Sequence, residues 1–322
     1  MTKLTPFYEN VQAHYDLSDE FFALLALSTR SGPTYSCAYF PRADMTLEQA
    51  QLAKIDLALG KCDLRPGMTL LDIGCGWGAT MRRAVAKYDV NVVGLTLSRN
   101  QYEHVRAHFS RSPPAVRTAQ VRLQGWEDFT DPVDRIVSIG AFEHFRRQRY
   151  EAFFTQARQI LPDDGRLLLH TIVGHSRALL DAMGVEVTRN DALFLRFILR
   201  EIFPGGQLPE RDAVIPLAQR NGFWVQNIES LQPHYARTLD LWSQALVSRH
   251  REAVRLASDQ VYRKYLEYLT GCAGNFRRRL IDVLQFTLIA QSTPQVPQMA
   301  ASGRGRSAGP WHVMETVRPK ET

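Results

Sequence analysis

The segment Leu70–Tyr88 constrains this chain more than any other. An apolar run ends in Asp72-Ile73-Gly74-Cys75-Gly76-Trp77-Gly78, and a helical pattern follows. Three glycines at alternate positions let the backbone turn sharply and approach a ligand without Cβ clashes. Free N–H groups at the start of the next helix favour an anion. The spacing is not G-x-G-x-x-G and no G-K-[ST] follows, which excludes a P-loop. From residue 68 onward, strand and helix patterns alternate. Strands are predicted at 69–73, 90–95, 119–124, 134–140 and 166–173, and helices at 78–88, 99–109 and 149–161. This rhythm belongs to a parallel sheet with helices on both faces.

Around that unit the pattern changes. Residues 8–27 read as one or two short amphipathic helices. Residues 46–59 read as another, with Thr46-Leu47-Glu48-Gln49 placed as a capping box. A helix is expected over Asn190–Phe203, stopped by Pro204-Gly205-Gly206. A strand at 223–231, long helices from about 236 to 280 and a strand at 282–289 complete the pattern. The expected organisation is a helical lid over 1–67 and a core over 68–290 with helical insertions around 174–220 and 236–280. Residues 291–322 are rich in Pro, Gly, Ser and Gln and read as a disordered tail.

Charge and cysteine usage bound the setting. The net charge of +6 favours acidic partners. It is spread out, with Arg277-Arg278-Arg279 and Arg146–Arg149 as the densest clusters, and these read as solvated helix faces. No apolar run approaches the ~20 residues that span a bilayer, and the N-terminus lacks a signal core. A cytoplasmic protein with at most peripheral membrane contact is expected. The four cysteines form no C-x-x-C pair, and the histidines show no metal-ligand spacing, so no metal is expected. There is no compact basic–aromatic patch of the kind that binds nucleic acid.

The polar residues gather where an open α/β sheet binds ligands, at the carboxyl ends of its strands. After the second strand stands Thr96-Leu97-Ser98-Arg99-Asn100-Gln101, without the acid that dinucleotide enzymes place on the ribose. Thr96 and Gln101 take that role in its stead. After the third comes Trp126-Glu127, a ring to flank adenine and a carboxylate to accept from its amine. After the fourth comes Ile139-Gly140-Ala141-Phe142-Glu143-His144-Phe145, and in the fifth His170. The glycine loop resembles the cofactor loop of Rossmann-like methyltransferases.

The chain as a whole resembles the mycolic acid cyclopropane synthases, a branch of the cyclopropane-fatty-acid synthase family. His14-Tyr15-Asp16 with Phe21-Phe22, Thr34–Phe40, Met45–Gln51, Leu70–Gly78, Gly94–Gln101, Gln124–Glu127 and Ala141–Phe145 carry the likeness. So do Glu201–Gly206, His234–Leu239 and Tyr268–Cys272, for a span of about residues 5–289. Ser28–Pro33 departs from the family's usual turn, and the tail beyond 290 has no counterpart. The resemblance implies an α/β fold of the Rossmann-like class I methyltransferase type, with a mostly parallel seven-stranded sheet and inserted lid helices. It implies S-adenosylmethionine as cofactor, held by Tyr35, Ser36, Asp72, Gly74, Cys75, Gly76, Gly78, Thr96, Leu97, Gln101, Trp126, Glu127 and Ile139. It also implies a bicarbonate or carbonate ion held by Glu143, His144, His170, Tyr235 and the Cys37 backbone. Cys272 is a candidate nucleophile on sequence grounds, but the implied mechanism needs no covalent enzyme intermediate, and a structural role is favoured. The expected reaction is methyl transfer to a double bond of a long unsaturated acyl chain on an acidic acyl carrier protein, closing a cyclopropane ring. His144 leans toward a ring or a hydroxylated product over a methyl branch. Two rivals are a methyltransferase for nucleic acid or small molecules and a non-enzymatic acyl binder.

Overall fold

The computed structural model describes Leu4, Phe21, Leu24, residues 34–204 and residues 206–291. The helices expected within 8–27, the divergent segment 28–33 and the tail expected to be disordered lie outside these residues, apart from those single positions and Gln291.

Seven strands form one sheet in the order β3-β2-β1-β4-β5-β7-β6. They are β1 (Thr69–Ile73), β2 (Asn91–Thr96), β3 (Ala119–Leu123), β4 (Arg135–Ile139), β5 (Arg166–Gly174), β6 (Phe223–Ser230) and β7 (Ile281–Ala290). Strands β1 to β5 pair in parallel, while β7 runs antiparallel to both β5 and β6. The helices are α1 (Leu47–Lys61), α2 (Ala79–Tyr88), α3 (Arg99–Arg111), α4 (Tyr150–Ile160), α5 (Arg177–Ala182), α6 (Arg189–Phe197), α7 (Arg211–Arg220), α8 (Gln232–Ser248), α9 (His250–Leu256) and α10 (Asp259–Arg277). No described helix is long and apolar enough to cross a membrane.

Side chains alternate across a strand, and this alternation builds two cores. Leu71, Leu167 and Leu169 join Phe153, Phe154 and Ala157 of α4 on one face. Leu70 and Leu168 join Ile55, Ala58 and Leu59 of α1 and Val105 of α3 on the other. A third cluster packs Cys37, Ala38 and Phe40 against α8 and α10 through Tyr235, Leu239, Trp242, Tyr265 and Tyr268.

Three expectations need correction. Helix α1, expected within a lid, packs on the sheet, and its capping box at Thr46 and Gln49 is formed. Helix α7, expected within an insertion, buries Val214 and Ala218 in the main core. The single helix expected over 190–203 ends at Phe197, and a π-helical turn, Ile198–Ile202, follows. There Phe203 N–H donates to Ile198 O at 2.9 Å, a five-residue closure. Apolar periodicity does not register one extra residue in a turn.

Candidate active site

The strand order reverses between β1 and β4, and a cleft opens at the carboxyl ends there. Asp72 and Ile73 from β1, Leu95 and Thr96 from β2 and Ile139 from β4 contribute to its wall. Tyr35, Ser36, Gly74, Cys75, Gly76, Leu97, Gln101, Trp126 and Glu127, all expected at the cofactor, line the same cleft. Gly78 does not. It caps the start of α2, and a Cβ there would lie 3.0 Å from Val105. Its part is to let α2 and α3 approach.

Two loop N–H groups ahead of the helix are spent within the protein. Gly74 and Cys75 both donate to Leu95 O, at 3.0 and 2.9 Å. This ties the loop to the end of β2 and fixes its path. Gly74 has φ +80, and a Cβ there would lie 2.5 Å from the Ala141 Cβ. Glycine is required on both counts.

Thr96 and Gln101 are already bonded to each other: Thr96 Oγ1 donates to Gln101 Oε1 at 2.7 Å. The Gln101 amide therefore has its NH₂ left for a ligand hydroxyl, the reverse of the acceptor an acid would supply. Glu127 is likewise engaged, accepting from Arg149 Nη1 at 2.9 Å. Arg149 was read from sequence as part of a solvated cluster, yet its side chain is largely buried. Trp126 is buried, its ring lies 5.5 Å from that of Phe145, and its Nε1 has no hydrogen-bond partner.

Asp72 too is buried without a full set of partners, through its Oδ2. Burial pushes its carboxyl up from 3.8 to about 7, opposed by the nearby Lys54 ammonium. Lys54 was missed in the sequence. It is 1% exposed, lines the cleft and donates to Ser36 Oγ at 2.9 Å. Burial lowers it to about 8. Gln51, one turn earlier, donates to Ser36 O at 2.8 Å. The available signal was two polar residues on the same helical face as Leu47, Ala50, Ile55 and Ala58.

The raised pKa of Asp72 has a consequence for stability. The folded state holds this proton more tightly than the unfolded state, so its contribution is full below about pH 4 and is lost as pH rises toward 7. Asp72→Asn is expected to raise the melting temperature relative to the wild type at pH 8 and to leave it nearly unchanged at pH 4. The shift corresponds to on the order of a few kcal/mol. Thermal melts at the two pH values check it. Both proteins carry the same histidines, so histidine titration cancels.

Of the expected catalytic residues, His144 lines the cleft. It ends a 3-10 turn, Phe142–His144, with its ring 6.1 Å from that of Phe203. Burial lowers it to about 4, so it is neutral. Glu143 accepts from Ile172 N–H at 2.7 Å through Oε1, while its buried Oε2 has no partner. Desolvation raises its pKa. Tyr235 on α8 is 7% exposed. Burial, with the charges of Tyr35, Cys37, Glu143 and Cys272, pushes its phenol well above the usual range. Tyr235 and Glu143 thus share one neighbourhood with Tyr35, Cys37 and Cys272, and Tyr235 stays a hydrogen-bond donor. His170 lies in the middle of the sheet, lowered to about 3 by burial and by Lys54 and Lys61.

The two cysteines are not poised as nucleophiles. The Cys37 thiol is fully buried and lies 3.2 Å from Ala38 O. Burial pushes Cys272 up to about 12. Thiolate is the reactive form, and neither site favours it.

Helix α6 closes against α10. Gly271 admits the Phe194 ring, and a Cβ there would fall 2.2 Å from it. Asp191, in the capping box of α6, accepts from Arg278 Nη2 at 3.0 Å. Arg278 stays exposed, as expected of its cluster, while making this contact. Gly271→Leu is expected to displace Phe194 at about 1–3 kcal/mol. The predicted result is a lower melting temperature with the fold at the cleft retained, read by thermal melts of variant and wild type.

The sequence pattern of the mycolic acid cyclopropane synthetase family matches residues 2–286. Cyclopropane mycolic acid synthase 1 of Mycobacterium tuberculosis (strain ATCC 25618 / H37Rv) is 59% identical over 285 residues, 88% of this chain and 98% of that protein. The structure of the cyclopropane synthase MmaA2 from Mycobacterium tuberculosis superposes with a TM-score of 0.86 at 59% identity, covering 89% of this chain and all of that one. The structure of mycolic acid cyclopropane synthase CmaA1 complexed with SAH and CTAB gives 0.85 at 58% identity, over 89% and 99%.

Proposed function

Because this chain belongs to the mycolic acid cyclopropane synthetase family, we propose that it methylates a carbon–carbon double bond of a long unsaturated acyl chain and closes a cyclopropane ring there. It is an S-adenosylmethionine-dependent methyltransferase. The proposed part is the substrate, the ring and the base.

The observation that carries the reading is the buried Glu143 carboxyl. Its Oε2 is unpartnered and it shares one neighbourhood with Tyr235. The donor set suits a bicarbonate ion. Tyr235 offers an O–H held protonated, and Glu143 offers a basic oxygen for the ion's own proton. His144 and His170 are neutral, so each can offer the ion one N–H donor. Such an ion would supply a base beside the transferred methyl.

The cleft also fits the cofactor. Asp72 Oδ2 offers an acceptor for an ammonium group, and Trp126 offers a flat ring with a free N–H. When bound, the sulfonium supplies the methyl group. The chain's own work is to orient and to keep water out. Alkenes are weak nucleophiles, so alignment is a large share of the barrier. Tyr35, stacked on Trp242 at 4.8 Å, presents an aromatic ring at the cleft wall for a developing cationic centre. Phe203 beside His144 helps to exclude water that would otherwise give a hydroxylated methyl branch. A relative's complex with SAH, the demethylated cofactor, and CTAB, a detergent with a long alkyl chain, supports both halves of the reading. The net charge of +6 supports an acidic acyl carrier protein as the bearer of the acyl chain.

Mass spectrometry of the acyl product tests it. Incubation with S-adenosylmethionine and an unsaturated acyl carrier protein is expected to add one CH₂ per reacted double bond and to leave no alkene there, whereas the same gain with a double bond retained would assign a methyl branch. Gain of CH₂ plus water would assign the hydroxyl-forming branch. Cofactor binding without any mass gain would refute the catalytic reading.

A further inference from the structure

A row of polar side chains crosses three strands behind His170. His170 on β5 is in register with Gln285 on β7, and Gln285 with Glu229 on β6. Register partners project to the same face of a sheet. Lys61, the last residue of α1, meets this row. Its Nζ donates to Glu229 Oε2 and, at 2.5 Å, to Gln285 Oε1. Gln285 Nε2 then lies 3.2 Å from His170 Nδ1. Gln285 is fully buried and His170 is 2% exposed.

The chemistry of the row leaves one arrangement. An ammonium has three donors and no acceptor, so the Gln285 oxygen must face Lys61. The Gln285 NH₂ must then face His170, and it can only donate. The His170 Nδ1 that receives it has to be a bare lone pair. A neutral imidazole with a bare Nδ1 carries its proton on Nε2. Burial and the charges of Lys54 and Lys61 keep the ring from taking a second proton.

We infer that Gln285, anchored by Lys61 and Glu229, is a positioning residue that locks His170 as the Nε2–H tautomer, so that the ring offers a donor on its far side. That this donor serves an anion rests on the proposed function; the tautomer does not. Neither Lys61 nor Gln285 belongs to a motif at the strand ends, and both act through His170.

The test reads the tautomer directly. Protein labelled with nitrogen-15 at histidine gives proton–nitrogen correlation spectra, with His170→Gln identifying the His170 signals. The wild type is expected to show a protonated Nε2 and an unprotonated Nδ1. Gln285→Glu places an acceptor against Nδ1 and is expected to move the proton there or to add a second. Lys61→Met frees the amide to turn and is expected to give a mixture, with Lys61→Arg restoring the wild-type pattern. Methyl transfer is expected to fall about tenfold to a hundredfold in Gln285→Glu and Lys61→Met, the scale on which loss of a ligand-orienting partner acts. A wild-type proton on Nδ1, or an unchanged pattern in Gln285→Glu, would overturn the inference. The expected wild-type pattern in an enzyme that methylates no acyl substrate would uphold it and defeat the proposed function, so the two failures are separable.

Discussion

Glu143→Gln is expected to lower methyl transfer about a hundred- to ten-thousand-fold, the usual worth of a positioned proton acceptor, while leaving cofactor affinity unchanged. The reason is local. Oε1 of Glu143 accepts the Ile172 N–H at 2.7 Å, and an amide oxygen can keep that bond. Oε2 is buried without a partner, and desolvation raises the carboxyl's pKa, which makes it a better base. The variant replaces this oxygen with an NH₂ that can only donate. The backbone stays in place and the proton sink is lost. Single-turnover transfer from labelled S-adenosylmethionine, read beside calorimetric binding, separates the two effects. Retention of the wild-type rate would remove Glu143 from the chemistry, and loss of binding along with rate would make it a structural residue.

Gly74→Ala is expected to weaken cofactor binding at least about a hundredfold, near 2.7 kcal/mol, with the overall fold retained. Two costs act together. Alanine at φ +80 carries about 1–3 kcal/mol of backbone strain. Its Cβ would also lie 2.5 Å from the Ala141 Cβ, which sits on backbone and cannot swing away. Relief requires the loop to leave Leu95 O, and with it the cleft wall moves. Gly76→Ala is the control. Its φ is +54, yet nothing lies within 4 Å of an added Cβ, so only the backbone cost remains. Calorimetric titration with S-adenosylmethionine on both variants should therefore show a much larger loss for Gly74→Ala. Equal losses would mean that the Ala141 contact plays no part.

The legible and the hidden parts of the site differ in kind. Asp72, Trp126, Glu127 and Ile139 were legible because each stands at or just past a strand end, and strand ends can be counted from alternation. Lys54 and Gln51 were not, because they are two polar residues in a helix whose burial depends on what the helix packs against. Arg149 and Arg278 read as solvated charge from composition alone, and Arg278 is indeed exposed while Arg149 is not. Each turned out to hold one acid, Glu127 and Asp191, across at least 22 residues of chain. Gly78 stood in the same motif as Gly74 and Gly76, and spacing could not tell a ligand-facing glycine from one that admits Val105.

By itself the sequence determined the strand–loop–helix unit, the seven alternating segments that became the sheet, and the family to which the chain belongs. These are local or cumulative properties: hydrophobic period, turn chemistry, and motifs that survive without knowledge of distance. Only the tertiary structure decided which oxygen of Glu143 is spent and which is left, that α1 is a sheet-packing helix, and that His170, Gln285, Glu229 and Lys61 form one row. The last three lie 115, 59 and 109 residues from His170, and strand register and helix packing alone bring them within hydrogen-bonding reach.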